Sequence, residues 1–253
     1  MNFYAVKAMY FHEMHRAIRT VFQSFLSPVI TTILYFVVFG SAIGSRMEEI
    51  SVVSYGSFIV PGLIMLTVMV QSTSNASFAI FFPKFTGAFN EILSAPVSSF
   101  DIVLSYVGAA ASKSIIIGLI IFITSNFFVT ISLAHPLWMI FYLIITCFSF
   151  SMFGFIIGLF AKNFEHLQFI PLLILTPLIF LGGSFYSLDM LPQFWQLVSL
   201  INPIVYLISG FRWAFFGFSD VSIFISFIVS MVFFLSCFFI IWLIFYTGYK
   251  IRN

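Results

Sequence analysis

Lys113 lies about halfway along one of the apolar stretches that make up most of this 253-residue sequence. If the stretch crosses a membrane, a lysine near its middle costs about 2.5 to 3.5 kcal/mol on insertion scales. The ammonium group then either lines a cavity, where it can contact an anionic or polar group of a substrate, or extends to the inner interface or a helix-end carbonyl. Both interpretations remain open from the sequence.

A second polar feature lies in the apolar stretch before it, where Thr67, Gln71, Ser74 and Asn75 share one face of a predicted helix. Such a face is costly against lipid, so it should contact another helix or a wet cavity. Hydrogen bonding between helices is the simpler interpretation, and contact with a substrate is the other. Gln71, Asn75 and Lys113 are therefore candidates to line a polar pathway.

Motifs for nucleotide or metal chemistry are missing from the sequence. It contains no glycine-rich loop that leads into Gly-Lys-Ser or Gly-Lys-Thr, so P-loop binding of ATP is excluded. His12-Glu13-Met14-His15 differs from a zinc-protease helix, which needs histidines four residues apart. The acidic residues Glu91, Asp101, Glu165, Asp189 and Asp220 fall in loops or at the ends of apolar stretches. This distribution argues against ion coupling through a mid-span carboxylate.

The composition identifies a membrane protein. Hydrophobic residues make up 62% of the chain and charged residues 7%, and the mean hydropathy is +1.15. This leaves too little polar surface for a water-soluble globule. The net charge of +2 gives no indication of a nucleic-acid partner, and Cys147 and Cys237 lie in apolar runs as packing residues.

Six apolar runs are long enough to cross about 30 Å of hydrocarbon as helices. They are Val21 to Ile43, Phe58 to Ile80, Ile102 to Phe128, Leu137 to Phe160, Leu167 to Tyr186 and Val221 to Tyr246. The predicted fold is an all-α polytopic membrane protein with one transmembrane domain, residues 1–253. Its predicted parts are an interfacial helix (1–20), spans one and two (21–80), a cytoplasmic loop (81–101), spans three to five (102–186), an extracytoplasmic re-entrant segment (187–220), span six (221–246) and a cytoplasmic tail (247–253).

The segment 187–220 is apolar, but Asn202-Pro203 interrupts it near the middle. Proline removes a backbone donor and disfavours helix at the preceding residue. Two short helices, Pro192 to Ile201 and Ile204 to Phe216, fit better than one span. Each is only about 15 to 20 Å long, so we predict a re-entrant helical hairpin that returns to the face from which it came.

The distribution of positive charge supports six spans with both termini in the cytoplasm. The inner face then carries Lys7, Arg16, Arg19, Lys84, Lys162, Lys250 and Arg252. The outer face carries Arg46 and Arg212. This is the excess of cytoplasmic positive charge that membrane proteins show, and a seventh span would weaken it.

Two segments are predicted to be amphipathic. In the first, His12, His15, Arg16 and Arg19 share one helical face, opposite Tyr10, Met14, Ala17, Ile18 and Val21, which is typical of a helix on a membrane surface. In the loop 81–101, Phe85, Phe89, Ile92 and Leu93 form an apolar stripe opposite Thr86, Asn90 and Glu91. Pro96 should end that helix, and Ser98 to Asp101 should form a capping box that starts span three.

The region from Leu175 to Gly217 resembles the C-terminal signature of ABC-2-type transport permeases. The matching positions are Leu175, Leu178, Leu181, Gly182, Ser184, Leu191, Pro192, Pro203-Ile204-Val205-Tyr206 and Arg212. FIVPGLIM at Phe58 to Met65 and EILSAPV at Glu91 to Val97 also resemble the bacterial YadH-type members. The likeness extends over essentially the whole chain.

The resemblance implies a half-size permease with a type V exporter-like fold in the bacterial inner membrane. It implies a homodimer that works with two copies of a separate ATPase, and ATP and Mg bind to that partner and not to this chain. The residues expected to couple to the ATPase are Phe85, Phe89, Glu91, Ile92 and Leu93. The residues expected at an outer gate in the re-entrant segment are Tyr186, Pro203, Tyr206 and Arg212.

Two other classes of function remain as alternatives. An ATP-independent secondary transporter or channel should show mid-span acids or an inverted repeat of broken helices. A membrane-embedded enzyme needs a nucleophile with a base, or a metal triad. The sequence shows none of these features. The class of cargo, whether drug, lipid or polysaccharide, is left open, and interfacial anchoring is the simpler role for the aromatic residues of the outer segment.

Overall fold

The structure is a computed structural model that describes residues 2–43 and 53–248. Three of the basic residues that enter the predicted charge asymmetry, Arg46, Lys250 and Arg252, lie outside the described residues. So does the predicted tail beyond residue 248.

The described residues form a helical bundle. In chain order its helices are α1 (Phe3–Arg19), α2 (Phe22–Gly40), α3 (Tyr55–Thr86), α4 (Ala88–Ser94), α5 (Ser99–Ser125), α6 (Pro136–Phe160), α7 (Phe164–Leu181), α8 (Gln193–Ile201), α9 (Pro203–Phe216) and α10 (Ile223–Thr247). Within the described ranges, six of them, α2, α3, α5, α6, α7 and α10, are long and apolar enough to cross a membrane. The predicted all-α fold with six spans is confirmed.

Several boundaries differ from the predicted ones. Helix α3 continues to Thr86, six residues past the predicted end of span two, so the predicted loop 81–101 begins inside a helix. Helix α7 begins at Phe164 and ends at Leu181, which leaves Tyr186 outside the fifth span. A wider π-type turn at Ile170–Leu175 contains Pro171, where the missing backbone donor favours such a distortion.

The centre of the bundle is the contact between α3 and α6. Both helices are mostly covered by others, whereas α2, α7 and α10 leave most of their residues uncovered. Gly154 and Gly158 of α6 lie directly against the backbone of α3 at Thr73 and Ser77. The Gly-x-x-x-Gly sequence of α6 permits this contact, because small residues let helix backbones approach closely in membranes.

One end of the bundle, called the α4 end, holds the carboxyl ends of α3 and α6 and the amino ends of α1 and α5. Lys84 Nζ at the end of α3 donates to the carbonyl of Leu159 at 2.7 Å. The backbone N–H of Asn2 donates to Asp101 Oδ2 at 3.1 Å. Ser98 and Asp101 form the predicted capping box at the start of α5.

The opposite end, called the α9 end, holds the loop between α5 and α6 together with the start of α3. Ser57 Oγ donates to the carbonyl of Thr130 at 3.2 Å. The backbone N–H of His135 donates to the carbonyl of Ala214 at 2.9 Å, so this loop satisfies a carbonyl at the carboxyl end of α9.

The last span returns from the α9 end to the α4 end. Before α10 begins, the N–H of Val221 donates to Ser209 Oγ of α9 at 3.1 Å. Near its carboxyl end, the ring of Phe245 stacks 6.3 Å from that of Phe155 in α6. The described ends of the chain therefore both lie at the α4 end.

The segment 187–220 leaves and re-enters the bundle at the α9 end. Ser187 Oγ donates to Asp220 Oδ1 at 2.6 Å, which joins the first and last residues of the predicted re-entrant segment. The chain bends by 94° between α8 and α9 at Asn202, so the two helices do not form one straight span. Most of α9 is buried in the core, whereas α8 exposes Phe194, Leu197 and Ile201. The segment is thus a bent pair in which α9 alone enters the core.

We expect Gly154→Ala to destabilise the α3–α6 contact. A Cβ atom at Gly154 would lie 2.2 Å from the carbonyl oxygen of Thr73, and a backbone atom cannot turn away as a flexible side chain can. Forcing extra volume into a packed core costs about 1 to 3 kcal/mol. The midpoint of thermal unfolding in detergent should fall.

The matched control is Gly108→Ala in α5. A Cβ atom there would meet only the Tyr10 ring at 3.9 Å, an ordinary van der Waals contact. This variant should be as stable as the parent chain or slightly more stable. Equal midpoints for the Gly154→Ala and Gly108→Ala variants would contradict the close approach of α3 and α6.

Candidate functional site

A cavity of about 490 Å³ opens among α1, α2, α3 and α5. Its polar lining includes Glu13, Arg16, Gln23, Gln71, Asn75 and Lys113. The structure therefore brings together all three residues that the sequence nominated for a polar pathway. It also places Glu13 and Arg16 of α1 in the cavity lining, a position that the sequence analysis did not predict for them.

Lys113 in α5 is bound to the polar face of α3. Its Nζ atom donates to Asn75 Oδ1 at 2.7 Å, and Asn75 Nδ2 donates to Gln71 Oε1 at 3.5 Å. Among the described residues, no carboxylate oxygen lies within 4 Å of the Lys113 ammonium. Lys113 thus lines a cavity and donates to an amide of a neighbouring helix. It does not extend to the interface or to a helix-end carbonyl, which was the other interpretation considered from the sequence.

Thr67 lies on the same polar face of α3, one turn before Gln71. Its hydroxyl lies 3.0 Å from that of Thr32 in α2. The hydrogen bonding between helices that was predicted for this face is therefore present at two levels, to α2 through Thr67 and to α5 through Asn75. A polar group inside a membrane bundle is stabilised by such a partner.

Glu13 is a buried carboxylate on α1, and the sequence gave it no role. Its Oε2 atom accepts from Arg16 Nη2 at 2.6 Å, and the Arg16 guanidinium lies 5.0 Å from the centre of the Phe78 ring. Burial raises the pKa of Glu13, and the charges of Arg16 and His12 oppose that rise. The arginine was predicted to share one face of a membrane-surface helix with His12 and His15, but it lines the cavity. The i,i+3 spacing of Glu13 and Arg16 was the available signal for this pair.

The packing of α1 explains why its charges turn inward. Helix α1 runs alongside α5 in the same direction: Ser105 Oγ donates to the carbonyl of Val6 at 3.4 Å, and Gly108 faces the ring of Tyr10. The covered side of α1 thus contains Glu13 and Ala17, whereas Ile18 from the predicted apolar face is 62% exposed. The helix predicted at the interface is held against span three by these contacts.

A second candidate surface surrounds α4. Gly87 adopts φ 83°, a left-handed conformation that glycine favours, and this turn separates α3 from α4. Phe85 consequently belongs to the end of α3, where its ring lies 5.0 Å from that of Phe164. The prediction that Phe85 and Phe89 share one amphipathic helix is corrected here, because Gly87 ends the first helix between them.

The four apolar residues predicted to form one stripe have different surroundings. Phe89 is 3% exposed and packs among residues of α3, α5 and α6, and Ile92 is partly covered by the same cluster. Leu93 and Glu91 are exposed. Helix α4 is therefore anchored in the core by Phe89 and presents an acidic and apolar face outward.

At the α9 end, Arg212 is fully buried and joins three parts of the chain. Its guanidinium donates to the carboxylate of Asp220 and to the carbonyl of Gly183, and it lies 4.1 Å from the centre of the Phe58 ring. Asp220, the partner that the sequence did not identify, also accepts from Ser187. An arginine in an apolar segment needs an anion nearby, and Asp220 was the acidic residue closest in sequence.

The other residues predicted at an outer gate are held by separate partners. Tyr206 donates from its hydroxyl to the carbonyl of Leu200 at 2.7 Å and so ties α9 to α8. Pro203 begins α9 behind Asn202, whose side chain accepts from Ile204 N at 3.1 Å and donates to the carbonyl of Leu178 at 2.6 Å. Tyr186 packs half-buried against the main core. The outer-gate role of these residues stays a prediction.

Comparison with known proteins gives one family and a consistent set of relatives. Residues 4–216 match the family described as ABC-2 type transporter. The sequence is 40% identical over 249 residues to the inner membrane transport permease YadH of Escherichia coli K12, covering 98% of this chain and 97% of that protein. It is 26% identical over 198 residues to nodulation protein J of Rhizobium meliloti, covering 77% of this chain and 74% of that protein.

Loss of the Asp220 carboxylate should destabilise the protein strongly. Asp220→Ala leaves the buried Arg212 guanidinium without its counter-ion, and removing one partner of a buried ion pair costs about 3 to 5 kcal/mol. Thermal unfolding in detergent should report the loss. Asp189→Ala, at an exposed acid at the same end, is the control and should leave the unfolding midpoint unchanged.

The double variant Arg212→Met, Asp220→Ala separates the cost of an unpaired charge from the value of the pair. Replacing a buried ion pair by apolar side chains is often neutral. The double variant should therefore be more stable than Asp220→Ala alone. A double variant that is less stable than the single one would show that the hydrogen bond from Arg212 to Gly183 matters more than the charge balance.

Proposed function

Because the chain belongs to the ABC-2 type transporter family, it is a permease subunit of an ABC transporter, and we propose that it forms the translocation pathway of an ATP-driven exporter. Its relative in Escherichia coli is named an inner membrane transport permease, and we place this chain in the bacterial inner membrane likewise. The permease pairs with a separate ABC ATPase subunit. ATP and Mg bind to that subunit, and two copies of it work with a homodimer of this chain.

The observation that carries the proposal is the placement of α4. The helix is seven residues long and lies between the left-handed turn at Gly87 and Pro96, so its two connections can bend without unwinding it. Phe89 links it to the core, while Glu91 and Leu93 are exposed. A force applied to the exposed side of α4 therefore reaches the cluster that α3, α5 and α6 share through Phe89 and Ile92.

The mechanism follows from this connection. ATP binding draws the two ATPases together, each moves the α4 helix on which it docks, and the spans shift between two discrete packings. Glu91 pairs with a basic residue of the ATPase, and Leu93 adds an apolar contact. At the opposite end, the segment containing Tyr206 and Arg212 closes the exit path in one of the two packings.

The charges at the α4 end support its placement in the cytoplasm. Lys7 and Lys162 are exposed there, and positive charge accumulates on the cytoplasmic side of membrane proteins. Arg212, the described basic residue at the α9 end that was counted as outer charge, is buried in an ion pair and adds no exposed positive charge.

An ATP-independent secondary transporter remains the second candidate, and one observation favours it. Glu13 is a buried carboxylate with a raised pKa beside a polar cavity, which is the kind of group that relays protons. Its ion pair with Arg16 argues for a structural role, because a relay group must be able to lose its partner. Transport by the chain in proteoliposomes without an ATPase would support this candidate.

Glu91→Arg should weaken association with the ATPase. The substitution reverses an exposed charge on α4 without touching the buried Phe89 anchor. Copurification of the ATPase from the native host should fall at least severalfold, since like-charge contact at an interface costs free energy and slows association.

The control is Asp189→Arg, which makes the same charge reversal at an exposed residue of the α9 end. It should leave copurification at the parental level. Equal recovery of the ATPase with both variants, together with equal ATP turnover, would show that α4 is not the docking element.

A further inference from the structure

The polar cavity adjoins a second, apolar pocket on the side of α2. This pocket has a volume of about 230 Å³, and we call it the α2 groove; its lining residues are Val21, Phe22, Phe25, Leu26, Val29 and Ile120. The two spaces meet at Phe25, whose ring centre lies 6.0 Å from the Lys113 ammonium. The cavity that contains the Lys113 ammonium is therefore adjacent to the apolar α2 groove.

The cavity has an excess of positive charge. Glu13 is paired with Arg16, so the charges of these two side chains offset each other. Lys113 has no carboxylate within ion-pair distance among the described residues, and Asn75 accepts one of its three donors. The remaining donors and the net charge favour an anionic group with several acceptor oxygens.

Both spaces open to the surface around the start of α2. Thr20 and Gln23 are exposed at the rim of the cavity. Val21 and Leu26 are 45% and 44% exposed along the α2 groove. Because α2 is a spanning helix, a molecule in the surrounding bilayer can reach both spaces from the side.

We propose that these two spaces together bind an anionic amphiphile, a phospholipid whose phosphate contacts Lys113 while one acyl chain occupies the α2 groove. The polar amides of Gln71 and Asn75 contact the rest of the headgroup. A volume of 490 Å³ is within the range of small-ligand pockets, which supports a headgroup as its occupant. This site does not include the α4 surface, so a test of lipid binding and a test of ATPase docking can fail independently.

The test measures lipid binding to the purified full chain in neutral detergent by native mass spectrometry. Dioleoylphosphatidylglycerol should bind about tenfold more tightly than dioleoylphosphatidylcholine, which has the same chains but no net charge. Lys113→Gln should remove this preference, since it deletes the charge and keeps an amide that can still bond to Asn75. Lys162→Gln, at an exposed lysine outside the cavity, should keep it.

The α2 groove is tested by a second variant, Leu26→Trp, which fills it. Binding of both lipids should fall severalfold, while Leu34→Trp, at an exposed residue two turns further along α2, should have no effect. A charge preference that persists in Lys113→Gln would overturn the assignment of the headgroup. Displacement of the lipid by glycerol 1-phosphate at equal concentration would show a site for soluble anions and would overturn the amphiphile.

Discussion

The buried ion pair between Arg212 and Asp220 determines the path of the last third of the chain. It joins α9 to Asp220, three residues before α10, and the same guanidinium reaches the loop after α7 through the carbonyl of Gly183. An unpaired arginine in hydrocarbon is costly, so the three segments must meet at one end of the bundle. The segment 187–220 therefore returns to the end from which it left, and α10 becomes the sixth span and not the seventh. This closure sends the chain's last described residues back to the α4 end.

The same requirement organises the middle of the bundle. On the polar face of α3, Thr67 contacts Thr32 of α2 and Asn75 accepts from Lys113, which is held by this amide and not by a carboxylate. A bundle with fully paired charges there would be closed and electrically neutral. Because Lys113 has no carboxylate partner among the described residues, the cavity is positively charged and lies beside the apolar α2 groove. Both spaces lie within one protomer, away from the α4 surface where the ATPase is proposed to act.

Local chemistry made much of the architecture predictable. Asn202-Pro203 disfavours a continuous helix, and the box Ser98 to Asp101 starts one; both features were predicted from the sequence and both are present. The inward turn of Glu13 was not readable, because it depends on α1 packing lengthwise against α5. The separation of Phe85 from α4 depends on the left-handed conformation of Gly87. The spacing of apolar residues continues across this glycine, so the sequence pattern does not show that the helix ends there. The pairing of Arg212 with Asp220 required knowledge that their segments meet.

Sidedness labelling tests most directly the claim that the chain doubles back and leaves α4 and the carboxyl end on the cytoplasmic side. Cysteines are introduced one at a time at Glu91, Asp189 and Thr247, which are exposed, whereas the natural Cys147 and Cys237 are buried. A membrane-impermeant maleimide should label positions 91 and 247 only in inverted vesicles, and position 189 only from outside intact spheroplasts. Labelling of positions 189 and 247 from the same side would mean that 187–220 crosses the membrane, and labelling of position 91 from outside would place α4 beyond the reach of any cytoplasmic ATPase.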